Sequence, residues 1–396
     1  MRLWQATIRS CDLRPLWPGM GLRNSLAKFS LTCYNTRLKS RICAAREGCP
    51  GPDTVVGCAV PGLTGILPMN TVITGANGMV GANLVRMLLA RGDRVKAVTF
   101  GDTRSLDGVD VEKAECNILD AAAMGELFRG AETVYHLASV ITLRSRRNAH
   151  AERVNSEGAR AVAEGCLRHG VRRLVHFSSI HAFSPHPTHE AVVETRPLCG
   201  DGHPFPYDRS KSRGQRAVLE AVRRGLDAVI IHPTGILGPH DYAPSHTGRA
   251  MLDIYHGRTR ALVRGGFNWV DVRDVCAGAM AAEERGRAGE NYILSGHHVP
   301  VMEMGRAVSK IAGRKAPRFM VPGWVMHSAA PLAEGWAGLR GREPRFSKFT
   351  LHTLVHHQEV SHEKATRVLG YTPRPFSETL RDTFEWFSTM GMLGDN

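Results

Sequence analysis

Residues Thr71 to Gly81 read T-V-I-T-G-A-N-G-M-V-G, and this stretch decides how the rest of the sequence is interpreted. Its first four residues are β-branched and predict a short buried strand. Glycines follow at positions 75, 78 and 81, and apolar residues then recur at helical spacing from Val80 to Leu89. A plain turn between packed elements would also fit the glycines. The flanking strand and helix favour a cradle for dinucleotide phosphates, since glycine lets backbone N–H groups approach a pyrophosphate.

Strand and helix patterns alternate from Met69 onward, which predicts a parallel sheet covered on both faces. Further strands are predicted at 94–100, 109–116, 132–139, 171–178 and 226–232, and helices at 120–128, 149–169 and 207–224. The expected fold class is α/β, a doubly wound parallel (Rossmann) sheet over residues 69–235. A smaller C-terminal substrate-binding lobe is expected over 236–396, with a short strand near 291–295 that returns to the sheet.

Residues 1–68 differ in composition from the rest of the chain. They hold nine Lys and Arg against three Asp and Glu, and five of the nine cysteines. They show no periodicity, and Met69 stands just before the first strand. We interpret 1–68 as a basic extension that is disordered or not part of the native protein. The remainder of the net charge of +14 is spread over helix faces, so no nucleic-acid partner is expected.

Composition also bears on membrane insertion, cellular location and metal binding. No apolar run reaches the length of about 18–20 residues that a transmembrane helix needs. The apolar segment from Phe319 to Leu339 contains Pro322, Pro331 and Glu334, and is expected to be a buried or surface-packed helix. Cysteines without a CxxC pair indicate free thiols and a cytoplasmic location. Nineteen histidines include no H-E-x-x-H motif, so no metal is expected.

Candidate chemistry lies after the fifth strand, at the sheet edge where ligands of open parallel sheets bind. Ser178 and Ser179 end that strand, and Y-D-R-S-K places Tyr207 and Lys211 one turn apart on the next helix. A free tyrosine has a pKa near 10, and a neighbouring ammonium together with a cationic nicotinamide would lower it. Tyr207 is thus the predicted acid/base for a hydroxyl/carbonyl pair, with Ser179 holding the substrate oxygen.

These motifs resemble the extended short-chain dehydrogenase/reductases of the NAD-dependent epimerase/dehydratase type. Other matching motifs are H-L-A-S from His136, V-N-S-E-G from Val154 and V-D-V-R-D-V from Val270. P-T-G-I-L-G-P from Pro233 and L-G-Y-T-P-R-P from Leu369 are similar to the dihydroflavonol-reductase-like branch, especially the hopanoid-associated sugar epimerases.

The resemblance implies site residues and an assembly. It implies a catalytic set of Ser179, Tyr207 and Lys211, with Asn155 in a water-mediated proton relay. It implies a homodimer, since similar proteins usually pair through a helix bundle. The implied cofactor contacts are Gly75, Asn77, Gly78, Met79, Val80, Gly81, Asn117, Ile118, Ala138, Tyr207, Lys211 and Pro233.

Departures from the family pattern bear on the choice of cofactor. An acid at the end of the second strand is usual with NAD, and an arginine one position later with NADP. Here these positions are Thr99 and Phe100. Arg104 would reach a 2′-phosphate and Asp102 a ribose hydroxyl, so NAD stays open and NADP is slightly favoured.

Two further departures bear on the substrate. The Asp-Glu pair of nucleotide-sugar dehydratases is replaced by Ile180 and His181, and Phe267 stands near the diphosphate-binding arginine of UDP-sugar epimerases. We therefore expect an uncharged small-molecule substrate, with His181 as a candidate contact. The predicted function is an NAD(P)-dependent oxidoreductase acting on a secondary alcohol or ketone. The alternatives are a sugar epimerase that retains its cofactor and a non-catalytic dinucleotide-sensing protein.

Overall fold

A computed structural model of the chain describes residues 69–394, apart from 147, 260, 318, 341–343, 345–346 and 357. The basic extension 1–68 lies outside the described residues. The strands are β1 Asn70–Thr74, β2 Arg94–Thr99, β3 Glu112–Glu115, β4 Thr133–His136, β5 Arg173–Phe177, β6 Ala228–Pro233, β7 Gly235–Leu237, β8 Ala261–Val263, β9 Gly266–Asp271, β10 Asn291–Leu294, β11 His297–Pro300 and β12 Phe319–Val321.

The central sheet has seven strands in the order β10-β6-β5-β4-β1-β2-β3, and every pairing in it is parallel. This order reverses direction beside β1, between β4 and β2, where doubly wound sheets open a crevice for ligands. The predicted α/β fold class is confirmed. The strand expected near 291–295 is β10, which pairs with β6 at one edge.

Twelve α-helices surround the strands in the described part of the chain. They are α1 Met79–Arg91, α2 Ala121–Glu126, α3 Ala149–Arg153, α4 Ala159–Arg168, α5 Pro206–Arg223, α6 His246–Tyr255, α7 Val272–Arg285, α8 Val301–Ile311, α9 Gly323–Leu339, α10 Lys348–Thr353, α11 Glu363–Leu369 and α12 Phe376–Thr389. The helix predicted over 149–169 is divided, because a π-helical turn from Val154 to Gly158 separates α3 from α4.

Two apolar layers cover the two faces of the central sheet. Neighbouring residues of β1 point to opposite layers: Ile73 packs with Leu84 of α1, whereas Val72 packs in the cluster that contains Val162 of α4 and Val218 of α5. Because both faces are covered, the inner strands β4 and β6 are buried along their whole length, whereas the edge strand β3 is mostly exposed. The carboxyl-terminal edge is left for loops and ligands.

The C-terminal part of the chain has its own small sheets and core. Strands β11, β9 and β7 form one sheet, and β12 pairs with β8 in another. Trp269, Val308 and Phe387 lie in the apolar cluster beneath them. The segment predicted as a buried or surface-packed helix over 319–339 begins with strand β12, and only Gly323–Leu339 is helical. The buried residues of this helix, α9, are Ala330 and Ala337, so it lies on the surface. Among the described residues, no helix is long and apolar enough to cross a membrane.

Candidate active site

The three glycines of the β1–α1 turn differ in how much room a side chain would have at each position. Gly75 has a φ of +71°, and a Cβ there would lie 2.7 Å from the backbone nitrogen of Ala138. A Cβ on Gly81 would lie 2.3 Å from the carbonyl oxygen of Gly75, so the turn and the helix can approach only without a side chain. Gly78 has an ordinary φ of −76°, and its Cβ would meet only the Gly75 oxygen, at 3.5 Å. Among the described residues no other atom lies near this Cβ, so the space above Gly78 leaves room for a ligand.

Helix α1 begins at Met79, directly beside the space above Gly78. Gly78 caps it without a side-chain hydrogen bond, and no acidic residue stands in its first turn. The first N–H groups of a helix have no partner within it and carry the positive end of the helix dipole. The N–H groups of Met79, Val80 and Gly81 are therefore in position for an anion. Together with the room above Gly78, they fit a dinucleotide pyrophosphate.

The loop after β2 is tied to the glycine turn by Asn77. The Asn77 amide donates to the carbonyl oxygens of Phe100 at 3.0 Å and Asp102 at 2.8 Å, and Ser105 Oγ donates to the Asn77 carbonyl at 2.9 Å. Asn77 therefore positions the segment where a ribose would lie. The sequence did not single out Ser105.

The two charged candidates of that loop bind each other. The Arg104 guanidinium donates to both carboxylate oxygens of Asp102, with a shortest distance of 2.6 Å. These hydrogen bonds lower the pKa of Asp102. The Asp102–Arg104 pair therefore carries no net charge, whereas the preference for NADP rested on Arg104 as a basic group.

The remaining predicted cofactor residues follow strands at the same sheet edge. Asn117 comes after β3 and its Oδ1 accepts from the Leu119 amide at 3.0 Å. Ile118 packs against Gly158, where a Cβ would lie 3.0 Å away. Ala138 comes after β4, and its amide donates to Thr74 Oγ1 at 3.4 Å. Pro233 ends β6. The fold brings all of these residues to the mouth of the crevice.

Ser179, Tyr207 and Lys211 lie together beyond β5. Ser179 begins the short 3-10 helix that follows β5, where its Oγ accepts from the His181 amide at 3.3 Å. The Ser179 hydroxyl is near enough to Tyr207, in the first turn of α5, to lower the pKa of its phenol. One turn later, the Lys211 ammonium donates to the Phe177 carbonyl at 3.1 Å. All three side chains are buried, and β5 and α5 are the elements that hold them.

Burial sets the protonation states of this group. It raises the pKa of the Tyr207 phenol, which the hydrogen bond from Ser179 lowers in part. It lowers the pKa of the Lys211 ammonium to about 8. With the protein's own groups, Tyr207 is protonated at neutral pH, which is the form of a general acid.

Asn155 lies in the π-helical turn, and its side chain uses every hydrogen-bonding valence. Its oxygen accepts from Ser139 Oγ at 3.0 Å and from the Val140 amide at 2.8 Å. Its nitrogen donates to the Val140 carbonyl and to Ser210 Oγ, both at 3.0 Å. Ser210 Oγ in turn donates to the Tyr207 carbonyl at 2.7 Å. The Asn155 side chain therefore fixes α5 against the loop after β4.

Three neutral imidazoles lie behind the lysine, on one side of the sheet. His136 Nδ1 bonds Thr74 Oγ1 at 2.8 Å, and His232 Nδ1 donates to the Ser179 carbonyl at 2.9 Å. Burial lowers the pKa of His136 to about 3 and that of His232 to about 4, and the nearby Lys211 charge acts in the same direction. His176, between them, has its pKa lowered well below the ordinary value by burial. The row is uncharged packing beneath the site.

Asp208, next to Tyr207, is a functional candidate that the sequence did not reveal. Its carboxylate is fully buried, with one oxygen 3.2 Å from His181 Nδ1 and the other 3.5 Å from His203 Nδ1. The ligand atoms of Cys199, His203 and Asp208 lie within 4.8 Å of one another. The His181 ring also meets Tyr207 edge-on, with centroids 5.6 Å apart.

Two of these atoms already serve the protein's own hydrogen bonds. Cys199 Sγ donates to the Phe183 carbonyl at 3.1 Å, and His203 Nδ1 accepts from the Phe205 amide at 3.4 Å. The proton transfer derived from Tyr207 does not need an ion here. An acidic residue inside the Y-x-x-x-K spacing was visible in the sequence, but its burial was not.

The wall around Tyr207 is apolar and comes from distant parts of the chain. Phe205, Phe349 of α10 and Leu143 form one cluster with Tyr207. The Phe349 ring centroid lies 6.0 Å from that of Tyr207. Phe267, where the diphosphate-binding arginine was absent, lies in β9 and packs against Trp269. No sequence signal pointed to Phe349, because its proximity depends on the lobe's tertiary packing.

Comparison with known proteins agrees with this geometry. Residues 71–295 match the model of the NAD dependent epimerase/dehydratase family. The chain belongs to this family. It is 34% identical to sterol demethylase protein B of Methylococcus capsulatus, over 82% of this chain and 100% of that protein. It is 28% identical to a putative dihydroflavonol 4-reductase of Synechocystis, over 81% of this chain and 95% of that protein.

A solved structure gives the same result for the fold. The crystal structure of gox2253 is similar with a TM-score of 0.71 and 31% identity, over 81% of this chain and 98% of that one. The predicted resemblance is confirmed. The protein is an enzyme of a family with NAD(P)-dependent redox or epimerase activity, and the non-catalytic alternative is set aside.

Proposed function

We propose that this protein is an NAD(P)-dependent reductase or dehydrogenase that interconverts a ketone and a secondary alcohol on a large apolar molecule. The observation that carries the proposal is that Ser179, Tyr207 and Lys211 are buried together, with Tyr207 packed in one cluster with Phe205, Phe349 and Leu143. A protonated phenol in an apolar setting suits an uncharged carbonyl substrate. Phe205, Phe349 and Leu143, the described apolar residues of this wall, supply no cation for the diphosphate of a nucleotide sugar.

The substrate class follows from the wall and from a relative. Sterol demethylase protein B carries a sterol in its name and matches this chain over its whole length. A fused-ring lipid of the sterol kind would bury its apolar surface against the aromatic wall and present one oxygen to Ser179 and Tyr207. We infer that the part of the chain after residue 235, which supplies Phe349, is the substrate-binding lobe.

In this mechanism the chain's own residues hold the substrate oxygen and move one proton. Ser179 donates a hydrogen bond to the carbonyl oxygen, and Tyr207 gives that oxygen its proton as negative charge develops there. Lys211, held by the Phe177 carbonyl, is cationic below a pH of about 8 and stabilises the resulting tyrosinate. The glycine turn and residues after β3, β4 and β6 would hold a nicotinamide dinucleotide, which would supply or accept the hydride. Asn155 fixes α5 so that Tyr207 stays aligned.

The Arg104–Asp102 pair bears on the choice between NAD and NADP. A 2′-phosphate would have to take Arg104 from Asp102, and a ribose hydroxyl would have to share Asp102 with Arg104. Both exchanges replace one exposed ion pair or hydrogen bond by another, and such exposed contacts contribute little to affinity. We therefore propose that the enzyme uses both cofactors, with affinities that differ by less than about tenfold.

The test of this proposal is turnover by the purified chain with NADH or NADPH and a panel of cyclic and sterol ketones. Stoichiometric oxidation of the cofactor is expected, whereas an epimerase would regenerate it. Tyr207→Phe should lower turnover by about 10³-fold or more and leave cofactor affinity unchanged, because only the proton donor is removed. Tyr255→Phe, in the core of the lobe, is the matched control and should be active. Substantial activity in Tyr207→Phe would refute the mechanism.

A further inference from the structure

The surface of helix α9 is unusual because its outward side carries no charge. The structure describes all 17 residues of α9, and the exposed ones include none of Asp, Glu, Lys or Arg. Leu332, Trp336 and Leu339 follow one another at spacings of four and three, and Trp324 stands two turns before Leu332, so all four lie on one side of the helix. Their exposed fractions are 74%, 78%, 59% and 89%. A helix that faces water normally carries charged residues there, so this surface is suited to an apolar partner.

The strand before the helix extends the same surface. Phe319 and Met320 of β12 are exposed, and Pro322 leads directly into α9. Glu334 is the single charged residue between 319 and 339. It faces the protein, where its carboxylate accepts from Ser145 Oγ at 2.8 Å and from the Lys348 amide at 3.0 Å. The helix therefore presents aromatic and aliphatic groups outward and uses its one charge internally.

Basic residues flank this apolar surface on both sides in the chain. Between residues 301 and 348 there are nine Lys and Arg and three Asp and Glu. Arg306 and Lys315 line a recess of about 330 Å³ with Met302, Ala316 and Pro317, and Pro317 is two residues from Phe319. At the other end, the Arg340 guanidinium lies over the Trp336 ring, 3.6 Å from its centroid.

We propose that β12 and α9 form a docking surface for an anionic lipid bilayer. Tryptophans and aliphatic residues would enter the interface between headgroups and acyl chains, and the flanking Arg and Lys would meet lipid phosphates. The recess between Arg306 and Lys315 has the size and charge for one phosphate headgroup. A second copy of this chain is a poorer occupant, because it would bring the same basic flanks together.

The surface is connected to the active site by a short series of contacts. Glu334 of α9 holds Ser145, and Ser145 Oγ accepts from the Phe349 amide at 3.1 Å. Phe349 is part of the wall around Tyr207. Docking through α9 would thus place the apolar wall of the site beside the bilayer. The further step, that the substrate is taken from the bilayer, rests on the proposed function.

The first test is co-sedimentation of the full chain with phosphatidylcholine vesicles that contain or lack phosphatidylglycerol. Binding is expected with the anionic vesicles, and Leu332→Glu and Trp336→Glu should each weaken it by about tenfold or more. Met390→Glu, which changes an exposed apolar residue after the last helix, is the matched control and should bind like the parent. Arg306→Ala with Lys315→Ala should lower binding and its salt dependence, because two phosphate contacts are lost.

Several outcomes would overturn the proposal. One is that the parent protein fails to sediment with anionic vesicles, and another is that Leu332→Glu binds as well as the parent does. A third is a vesicle-independent dimer, measured by light scattering, that Leu332→Glu converts to a monomer, because a second copy would then cover the surface. Circular dichroism of each variant checks that these exposed substitutions leave the fold intact.

Activity assays separate this proposal from the proposed function. With a water-soluble cyclic ketone, Leu332→Glu should turn over at the parent rate. With a sterol ketone carried in anionic vesicles, it should be slower by about the factor by which its binding falls. If the parent protein binds vesicles but reduces neither ketone, the docking surface stands and the proposed function fails.

Discussion

Replacing Gly78 by alanine separates what the glycine turn does for the fold from what it does for a ligand. A Cβ at this position would lie 3.5 Å from the Gly75 carbonyl oxygen, which is an ordinary van der Waals contact, and φ is −76°. Folding should therefore change by no more than about 1 kcal/mol, since loss of freedom in the unfolded chain offsets a poorer helix cap. A bound pyrophosphate, in contrast, would meet the new methyl group.

Gly81→Ala is the matched control, because it should lower the stability of the fold, whereas Gly78→Ala should lower the affinity for the cofactor. Its Cβ would lie 2.3 Å from the Gly75 carbonyl oxygen, inside contact distance, so the turn or the helix must move. Overpacking of this kind costs about 1–3 kcal/mol, which is several degrees in the melting temperature of a domain this large. Gly78→Ala should instead keep the melting temperature and lose about tenfold or more in affinity for NADH and NADPH, or about 1.4 kcal/mol.

The measurements are thermal unfolding of both variants without cofactor and titration calorimetry of the parent and Gly78→Ala with each cofactor. If Gly78→Ala bound both cofactors like the parent, the space above Gly78 would not hold a pyrophosphate. If it melted as low as Gly81→Ala, the distinction between a glycine needed by the fold and one needed by the ligand would be wrong.

Two further predictions follow from buried and paired charges. Because burial lowers the pKa of Lys211 from 10.5 to about 8, the folded state releases that proton first, and the free energy of unfolding should rise by up to about 3 kcal/mol between pH 8 and 10.5. Lys211→Met should remove this rise, and an unchanged pH profile of chemical unfolding would contradict the assignment. For the cofactor loop, Asp102→Ala should free Arg104 and favour NADPH, and Arg104→Ala should favour NADH, each by about 3–10-fold in KM. Equal KM ratios in both variants would show that the pair lies away from the ribose.

The parts of the fold that the sequence predicted are those determined by local pattern. The β1–α1 turn has a fixed glycine spacing between two periodic elements, and the structure has it where the pattern places it. The Tyr207 and Lys211 spacing needs only the geometry of one helix. The division of the long helix at Val154 to Gly158 could not be seen, because one π-helical turn shifts the apolar period too little to stand out in the sequence.

The features that the sequence did not predict depend on tertiary packing. Phe349 of α10 reaches Tyr207 through tertiary packing, and no spacing in the chain encodes that contact. Asp208 was visible as an acid beside Tyr207, but its complete burial between two imidazoles was not. Apolarity from 319 to 339 was visible as well. Whether such a helix is covered or exposed depends on what packs against it, and here only Ala330 and Ala337 are buried.

Glu334 explains why the outward side of α9 and the wall of the site behave as one unit. A carboxylate on a surface helix is usually hydrated. The Glu334 carboxylate instead accepts hydrogen bonds from Ser145 and from the Lys348 amide, which begins α10. Those bonds fix the loop before α3 and place Phe349 against Tyr207. The one charged side chain of α9 therefore points inward, where it positions the wall around Tyr207. The exposed residues on the outward side of the helix are uncharged. The inward orientation of Glu334 thus contributes both to the aromatic wall beside Tyr207 and to the uncharged surface proposed to meet the bilayer.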